Sequence, residues 1–393
     1  MIKNNLLLFA FFVLGFSSNS YSQAHLMPAQ KTFKVAILAP LYLDSVFDEG
    51  KLKNKKSLPR FIMPGVDFVQ GAMIAFDMID VDGKKVEARI FDSKSTKTPV
   101  SSIIRNKQLD GTDLIIGSVR DPEYSQLASY AVRNNVPFVS ATYPNDGGIR
   151  KNPNLIIVNP TLQANIDAIY SYILQKHGTD NIYLVKQKND KRIENYFKAA
   201  NTSEGKALLK INTINLDSSI STYGLRRMLD TSKQVVIIGA SLDETFSAKL
   251  ADAIYPIGKN NPIMYIGMPN WDGFRSFLKK DGYPDFPIYF TTSHMDVQKN
   301  QYKDYLVDQY FTKYRAKPTD VAYKGFEVAY YFTQILLNHP QDFMEHINDD
   351  KYAPFHKFNF RPVNLNNTDS IPDYFENKHL FIMKILNGEI TNL

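Results

Sequence analysis

The chain contains no cysteine in its 393 residues. That absence excludes disulfides, cysteine-ligated zinc, thiol catalysis and a lipid-anchored cysteine, so the fold must be held together by its core. Tryptophan occurs once, at position 271. Runs of lysine and arginine with interleaved aromatics are missing as well. The formal net charge of +6 is dispersed, and Lys51-Leu52-Lys53-Asn54-Lys55-Lys56 reads as a solvated surface loop, which argues against a nucleic-acid groove. No Gly-x-Ser-x-Gly elbow, Walker loop or Gly-x-Gly-x-x-Gly is present. The seven histidines (His25, His177, His294, His339, His346, His356 and His379) form no HExxH and no close pair on a helix, which argues against a metal site. Asp92, Asp121 and Asp243 end different strands and do not read as an acid/base pair. Without a nucleophile or a poised base the chain reads as a binder, not an enzyme, and no cofactor is implied.

One long apolar run is present, and it is N-terminal. Lys3 precedes Leu6-Leu7-Leu8-Phe9-Ala10-Phe11-Phe12-Val13-Leu14, and polar residues follow to Ser20-Tyr21-Ser22, small where a signal peptidase reads. Residues 1–22 therefore read as a cleaved signal peptide, because a membrane span needs about twenty apolar residues. No comparable run follows. The mature chain is expected to be soluble, not membrane-spanning, and periplasmic or secreted, with a net charge of +5 once Lys3 is removed.

A mature chain of roughly 370 residues is long for one core, and about 150 residues per domain suggests two lobes. The segment from Asp113 to Pro144 shows the repeating unit. Leu114–Ile116 is a short apolar strand ending in Gly117, Val136–Val139 is another ending in Ser140-Ala141-Thr142, and one helix of sequence lies between them. Two such strands run parallel and end at the same edge, where unpaired backbone N–H groups make a ligand cleft in an open sheet. The same alternation runs from Val35–Leu38 to a helix at 272–279. A helix over Gly65–Ile79 carries Val66, Val69, Met73, Phe76 and Ile79 on one stripe. Strands separated by single helices predict parallel sheets covered on both faces. Near Pro287 the pattern changes: Ile288–Phe290 reads as a strand, two helices (Gln301–Tyr314 and Pro318–Leu337) follow without one, and the tail offers strands His356–Phe360 and Leu380–Ile385 around a polar loop, Arg361–Asn377.

The order KVAILAPL, GVDFVQGAMIAFDMID, RIFDSKS, LIIGSV, VPFVSAT and YFTKYRAKPTDVAYKGFEVAYY resembles the type I periplasmic binding proteins, most nearly the leucine-type amino-acid receptors of ABC importers. Ala322-Tyr323-Lys324-Gly325-Phe326-Glu327 is similar to that family's Gly-Tyr-Asp-Ala helix. The resemblance implies an α/β fold of two Rossmann-like lobes with parallel sheets joined by a multi-crossing hinge. Residues 33–159 plus 287–340 would form the first lobe, and 160–286 plus 341–393 the second. It also implies a solute-binding protein that closes on a small, amino acid-like polar ligand and presents it to an inner-membrane permease. The other class left open is a non-transport envelope scaffold or sensor that binds a cell-wall component or a protein.

The resemblance carries site residues as well. Ser140, Ala141 and Thr142 match the family's second binding loop, with Tyr143 beside them. The first loop's hydroxyl position falls on Asp121, where a carboxylate repels a ligand carboxylate unless Arg120 compensates. Asp121 also reads as a helix N-cap with Pro122 at the first helical position. In the second lobe Lys188-Asn189-Asp190 replaces a family aromatic, making Asn189 a candidate contact, and Gly267-Met268-Pro269-Asn270-Trp271 replaces an acidic residue. Trp271 is either a stacking platform at the cleft mouth or a core residue.

Overall fold

The computed structural model describes residues 31–53, 57–79, 84–217, 219–294, 297–365 and 370–393. The expected signal peptide lies outside these. The first lobe is built on strands β1 (Thr32–Ala39), β2 (Lys85–Asp92), β3 (Leu114–Gly117), β4 (Phe138–Ser140) and β5 (Leu155–Ile157), with helices α1 (Met63–Met78), α2 (Val100–Arg105) and α3 (Glu123–Asn134) between them. The second uses β6 (Asn181–Gln187), β7 (Ile211–Leu216), β8 (Val235–Gly239), β9 (Ile263–Gly267) and β10 (Ile288–Thr292), with α4 (Leu162–His177), α5 (Arg192–Ala200), α6 (Thr222–Met228) and α7 (Glu244–Gly258). Helices α8 (Gln301–Tyr314) and α9 (Asp320–Asn338) follow, then β11 (Phe360–Val363), β12 (Tyr374–Asn377), β13 (Phe381–Leu386) and β14 (Glu389–Asn392).

Each lobe holds a seven-stranded sheet, ordered β11-β12-β5-β4-β3-β1-β2 in the first and β7-β6-β8-β9-β10-β13-β14 in the second. Pairing is parallel except at one end of each sheet, where β11–β12, β10–β13 and β13–β14 are antiparallel. This corrects the sequence-based division at two places. Ile288–Thr292 pairs beside Tyr265 and Ile266 in the second sheet, and the expected loop at 361–377 contains most of β11 and all of β12, which extend the first. The physical reason is non-local. The edge of β5 is completed by a strand more than 200 residues later, Phe375 facing Ile156 and Glu376 facing Ile157, a pairing no local pattern announces.

Side-chain alternation explains why the first sheet is covered twice. Val35, Ile37 and Ala39 of β1 enter the core beneath α1, α8 and α9, while Ala36 and Leu38 enter the one beneath α2 and α3. Helix α1 differs from its expected stripe. Val66, Val69 and Phe76 are only partly buried, and Phe68, Gly71, Ala72 and Ala75 are deepest, because α9 lies across that face. The two backbones meet at glycines: a Cβ on Gly71 would lie 1.9 Å from the Ala322 carbonyl oxygen, and one on Gly325 would lie 2.1 Å from that of Phe68.

The chain passes between the lobes after β5, after β10 and after β12. The crossings are tied side by side. The Thr161 N–H donates to Glu376 Oε1 at 2.7 Å, and Asn377 Nδ2 donates to the Val158 carbonyl at 3.3 Å. Glu376 and Asn377 are both fully buried, so these bonds are made away from water.

Candidate functional site

Strand order locates the site. In the first sheet β2 and β3 flank β1 on opposite sides, and in the second β7 and β8 flank β6 likewise. Each reversal leaves a crevice beyond the carboxyl ends of the strands, where an open α/β sheet binds ligands. In the first lobe that edge carries Tyr42, Ser118 and Thr142. Ser118 follows β3 directly, its N–H held by the Leu38 carbonyl at 2.9 Å, and its hydroxyl meets the Thr142 hydroxyl at 3.1 Å. Both are only partly buried. Each hydroxyl can give its partner one hydrogen bond and retain lone pairs, or a proton, for a third group.

Of the other expected first-lobe residues, Ser140 and Ala141 point away from this edge. Both are fully buried, and the Ala141 N–H is taken by the Gly117 carbonyl at 2.9 Å. Ser140 ends a paired strand, so alternation turns its side chain into the core, where its hydroxyl has no partner among the described residues. Arg120 and Asp121 are exposed. Pro122, not Asp121, occupies the cap position of α3. The Asp121 carboxylate instead accepts the Ser125 N–H at 3.3 Å, the Ser125 hydroxyl, and the Tyr143 hydroxyl at 3.3 Å. Tyr143 also packs edge-on against Tyr124, with ring centroids 5.0 Å apart. Burial and the neighbouring Asp121 carboxylate push its hydroxyl pKa up. Tyr143 and Asp121 thus brace the start of α3.

Three further acidic residues, Asp92, Asp243 and Asp44, serve the backbone. Asp92 accepts N–H groups from Leu41, Tyr42, Leu43 and Lys94 at 2.7–3.0 Å. Asp243 caps α7 through the Phe246 N–H at 2.7 Å. Asp44 takes the Thr96 and Lys97 N–H groups at 2.7 and 2.8 Å. The Lys97 bond first, then those of Ser95 and Thr96, holds its pKa well below the usual range against burial.

Trp271 is not a platform at the cleft mouth. It is fully buried, its Nε1–H donates to the Ser241 carbonyl at 3.1 Å, and its ring lies against Tyr265 and Phe277 at 4.8 and 5.1 Å. Gly239 and Gly267, which end β8 and β9, leave the space it fills; a Cβ on Gly267 would lie 2.0 Å from the indole. The expected helix 272–279 is a 3₁₀ segment, Pro269–Gly273, that seats this ring. Asn189 is exposed in the turn after β6, beside the second crevice.

Three features of this edge were not marked by the sequence. The family's hydroxyl position, counted from Gly117, falls on Asp121, so the spacing does not mark Ser118. Asp272, just beyond Trp271, is a partly buried acidic group that follows β9. Burial raises its pKa, opposed by His294 in the crossing after β10 and by the Gly273 N–H. Burial lowers the His294 pKa, assisted by Lys324 and opposed by Asp272 and Glu327, so this electrostatic cluster joins residues of both lobes. Tyr42 and Phe61 form an edge-to-face aromatic pair, centroids 5.2 Å apart, with Phe61 57% exposed. An exposed aromatic beside a crevice is apolar surface available to a ligand.

Comparison with known proteins agrees with this fold. No curated protein sequence matches the chain. Its fold is similar to that of a branched-chain amino acid ABC transporter periplasmic ligand-binding protein from Burkholderia xenovorans (13% identity, 90% of each chain covered, TM-score 0.57). It is also similar to an ABC transporter substrate-binding protein from Desulfitobacterium hafniense in complex with Leu (14% identity, 92% of this chain and 100% of that one, TM-score 0.52). LivJ from Streptococcus pneumoniae in complex with isoleucine is a third such structure (15% identity, 92% and 98% covered, TM-score 0.50). Residues 62–338 match the family described as periplasmic binding protein, a span that includes α1, the Ser118 and Thr142 loops and α9. The chain belongs to the periplasmic binding protein family.

Proposed function

We propose that this protein is an exported receptor that closes its two lobes on a small solute bearing a carboxylate and a cationic group, an amino acid or a close relative, and delivers it to an inner-membrane permease. The observation that carries the reading is the Ser118–Thr142 hydroxyl pair at the first sheet's strand edge. Two hydroxyls that can both turn their protons toward one point suit a ligand carboxylate, and bonds to a charged group are the stronger kind. Asp272, on the second lobe, supplies the opposite charge, and Tyr42 with Phe61 supplies apolar surface for a side chain. The fold neighbours solved with leucine and isoleucine support this solute class. A ligand that binds both lobes favours the closed form by its differential affinity for that form. Release into the periplasm follows from cleavage after residue 22.

The test is calorimetric titration of the protein lacking residues 1–22 with a panel of amino acids, their decarboxylated amines and sugars. Binding of an amino acid but not of the matching amine is expected. Ser118→Ala and Thr142→Ala should each weaken binding by about 1.5–3 kcal/mol, the worth of a hydrogen bond to a charged group. Equal binding by both variants and the parent would overturn the assignment.

A further inference from the structure

A second cluster of ligating side chains lies far from the cleft edge. His339 ends α9, and Asp342 and His346 flank the short 3₁₀ turn beyond it. Beside them is a hollow of about 440 Å³ whose walls include Asp113, Val136 and Pro137. Those residues enter β3 and β4, so the cluster sits at the amino-terminal edge of the first sheet, opposite the cleft.

The sequence spacing did not suggest a histidine pair here, yet the His339 and His346 rings lie face to face, centroids 3.4 Å apart and 16° from parallel. Asp342 serves them unequally. Its Oδ2 is 2.9 Å from His346 Nε2, while its Oδ1 is 3.8 Å from His339 Nδ1, beyond hydrogen-bonding range. The other ring nitrogen of His339, Nε2, is buried without a partner. Whichever nitrogen carries the proton, the His339 ring has no hydrogen bond among the described residues, although a carboxylate and a second imidazole sit beside its Nδ1.

We infer that His339, Asp342 and His346 form a site for a divalent transition-metal ion of the zinc, nickel or copper class. Two imidazole nitrogens and one carboxylate oxygen are the donors such ions prefer over magnesium or calcium. The three ligand atoms lie within 4.8 Å of one another. Bonds of about 2.1 Å at tetrahedral angles put two donors about 3.4 Å apart, and an imidazole binds in its own ring plane, so binding draws the donors together by up to about 1.4 Å and turns one ring out of the stack. Asp342 is 42% exposed, so its carboxylate can exchange the His346 contact at 2.9 Å for the ion, and water from the hollow completes the coordination shell. The ion gives His339 Nδ1 its missing partner and clamps the end of α9 to the turn that follows.

The experiment titrates untagged protein with Zn²⁺ by calorimetry and with Cu²⁺ by electron paramagnetic resonance. One ion per chain is expected, with two-nitrogen hyperfine structure in the copper spectrum. His339→Gln and His346→Gln should each weaken binding at least about tenfold, since even residues that only support metal ligands are worth about 10–100-fold. Asp342→Asn, which preserves shape, should weaken it as well, while His177→Gln, a histidine paired with Asp180 elsewhere, should not. Circular dichroism identifies any variant that fails to fold. Absence of stoichiometric binding to the parent, or its survival in both His339→Gln and His346→Gln, overturns the assignment.

Discussion

Glu327 is completely buried in α9, and replacing it with glutamine tests how the first lobe tolerates a charge in its interior. Its Oε2 lies 2.9 Å from Lys324 Nζ, and its Oε1 accepts from the His356 ring and backbone at 2.9 and 3.2 Å. Burial by itself raises the carboxyl pKa, but Lys324 and His356 outweigh it and bring it from 4.5 down to about 2. A fall from 4.5 to about 2, at about 1.4 kcal/mol per pH unit, corresponds to about 3–4 kcal/mol of differential stabilisation. Glutamine keeps the volume and one acceptor but leaves the Lys324 ammonium half-buried without a counter-charge, a change that typically costs about 3–5 kcal/mol. A carboxyl depressed in the folded state contributes stability that is complete above its unfolded value near 4.5 and is lost as pH falls through about 2. Urea unfolding of parent and Glu327→Gln, followed by circular dichroism, should therefore show a gap of about 3 kcal/mol at pH 7. More than half of it should be gone at pH 3, while the other carboxylates titrate in both proteins and cancel. A gap below about 1 kcal/mol at pH 7, or one unchanged at pH 3, refutes the reasoning.

Gly71→Ala and Gly325→Ala should each lower the thermal midpoint, since the added methyl meets a backbone carbonyl that cannot move aside; overpacking of this kind costs about 1–3 kcal/mol, and wild-type stability in either variant would contradict the close helix crossing. Trp271→Ala should destabilise the second lobe by about 3–5 kcal/mol in denaturant titration; wild-type stability in the variant would remove Trp271 from the core. Glu376→Ala strands the buried Thr161 N–H at a crossing, and an unmade buried bond costs about 1–3 kcal/mol, measurable as faster hydrogen exchange at Thr161. Asp272→Asn should weaken an amino-acid ligand in calorimetry while leaving the corresponding carboxylic acid without an amino group unaffected; equal loss for both would remove Asp272 from the cation's position.

The alternation of apolar strands and helices was legible because each βα unit is a local pattern: Leu114–Gly117, Phe138–Ser140 and Val235–Gly239 are runs that periodicity alone marks as buried parallel strands. The carboxyl-end edge of the sheet was legible for the same reason, and Thr142 lies at it. Strand partners were not local. Ile288–Thr292 joined the second sheet, between β9 and the C-terminal β13, and Tyr374–Asn377 the first, beside a strand more than 200 residues earlier.

Side-chain direction at the strand ends was decided only in three dimensions. Ser140 and Trp271 occupy positions where a ligand contact was expected, and core packing turned both inward; Ser118, one residue past the Gly117 that ends β3, meets Thr142 at the edge instead. The sequence by itself determined a cysteine-free α/β chain of parallel units with a family-like order of motifs, since those follow from composition and short-range periodicity. Only the tertiary structure decided which hydroxyls meet, which carboxylates are occupied by backbone N–H groups and which histidines stack, because each depends on elements brought together from distant parts of the chain.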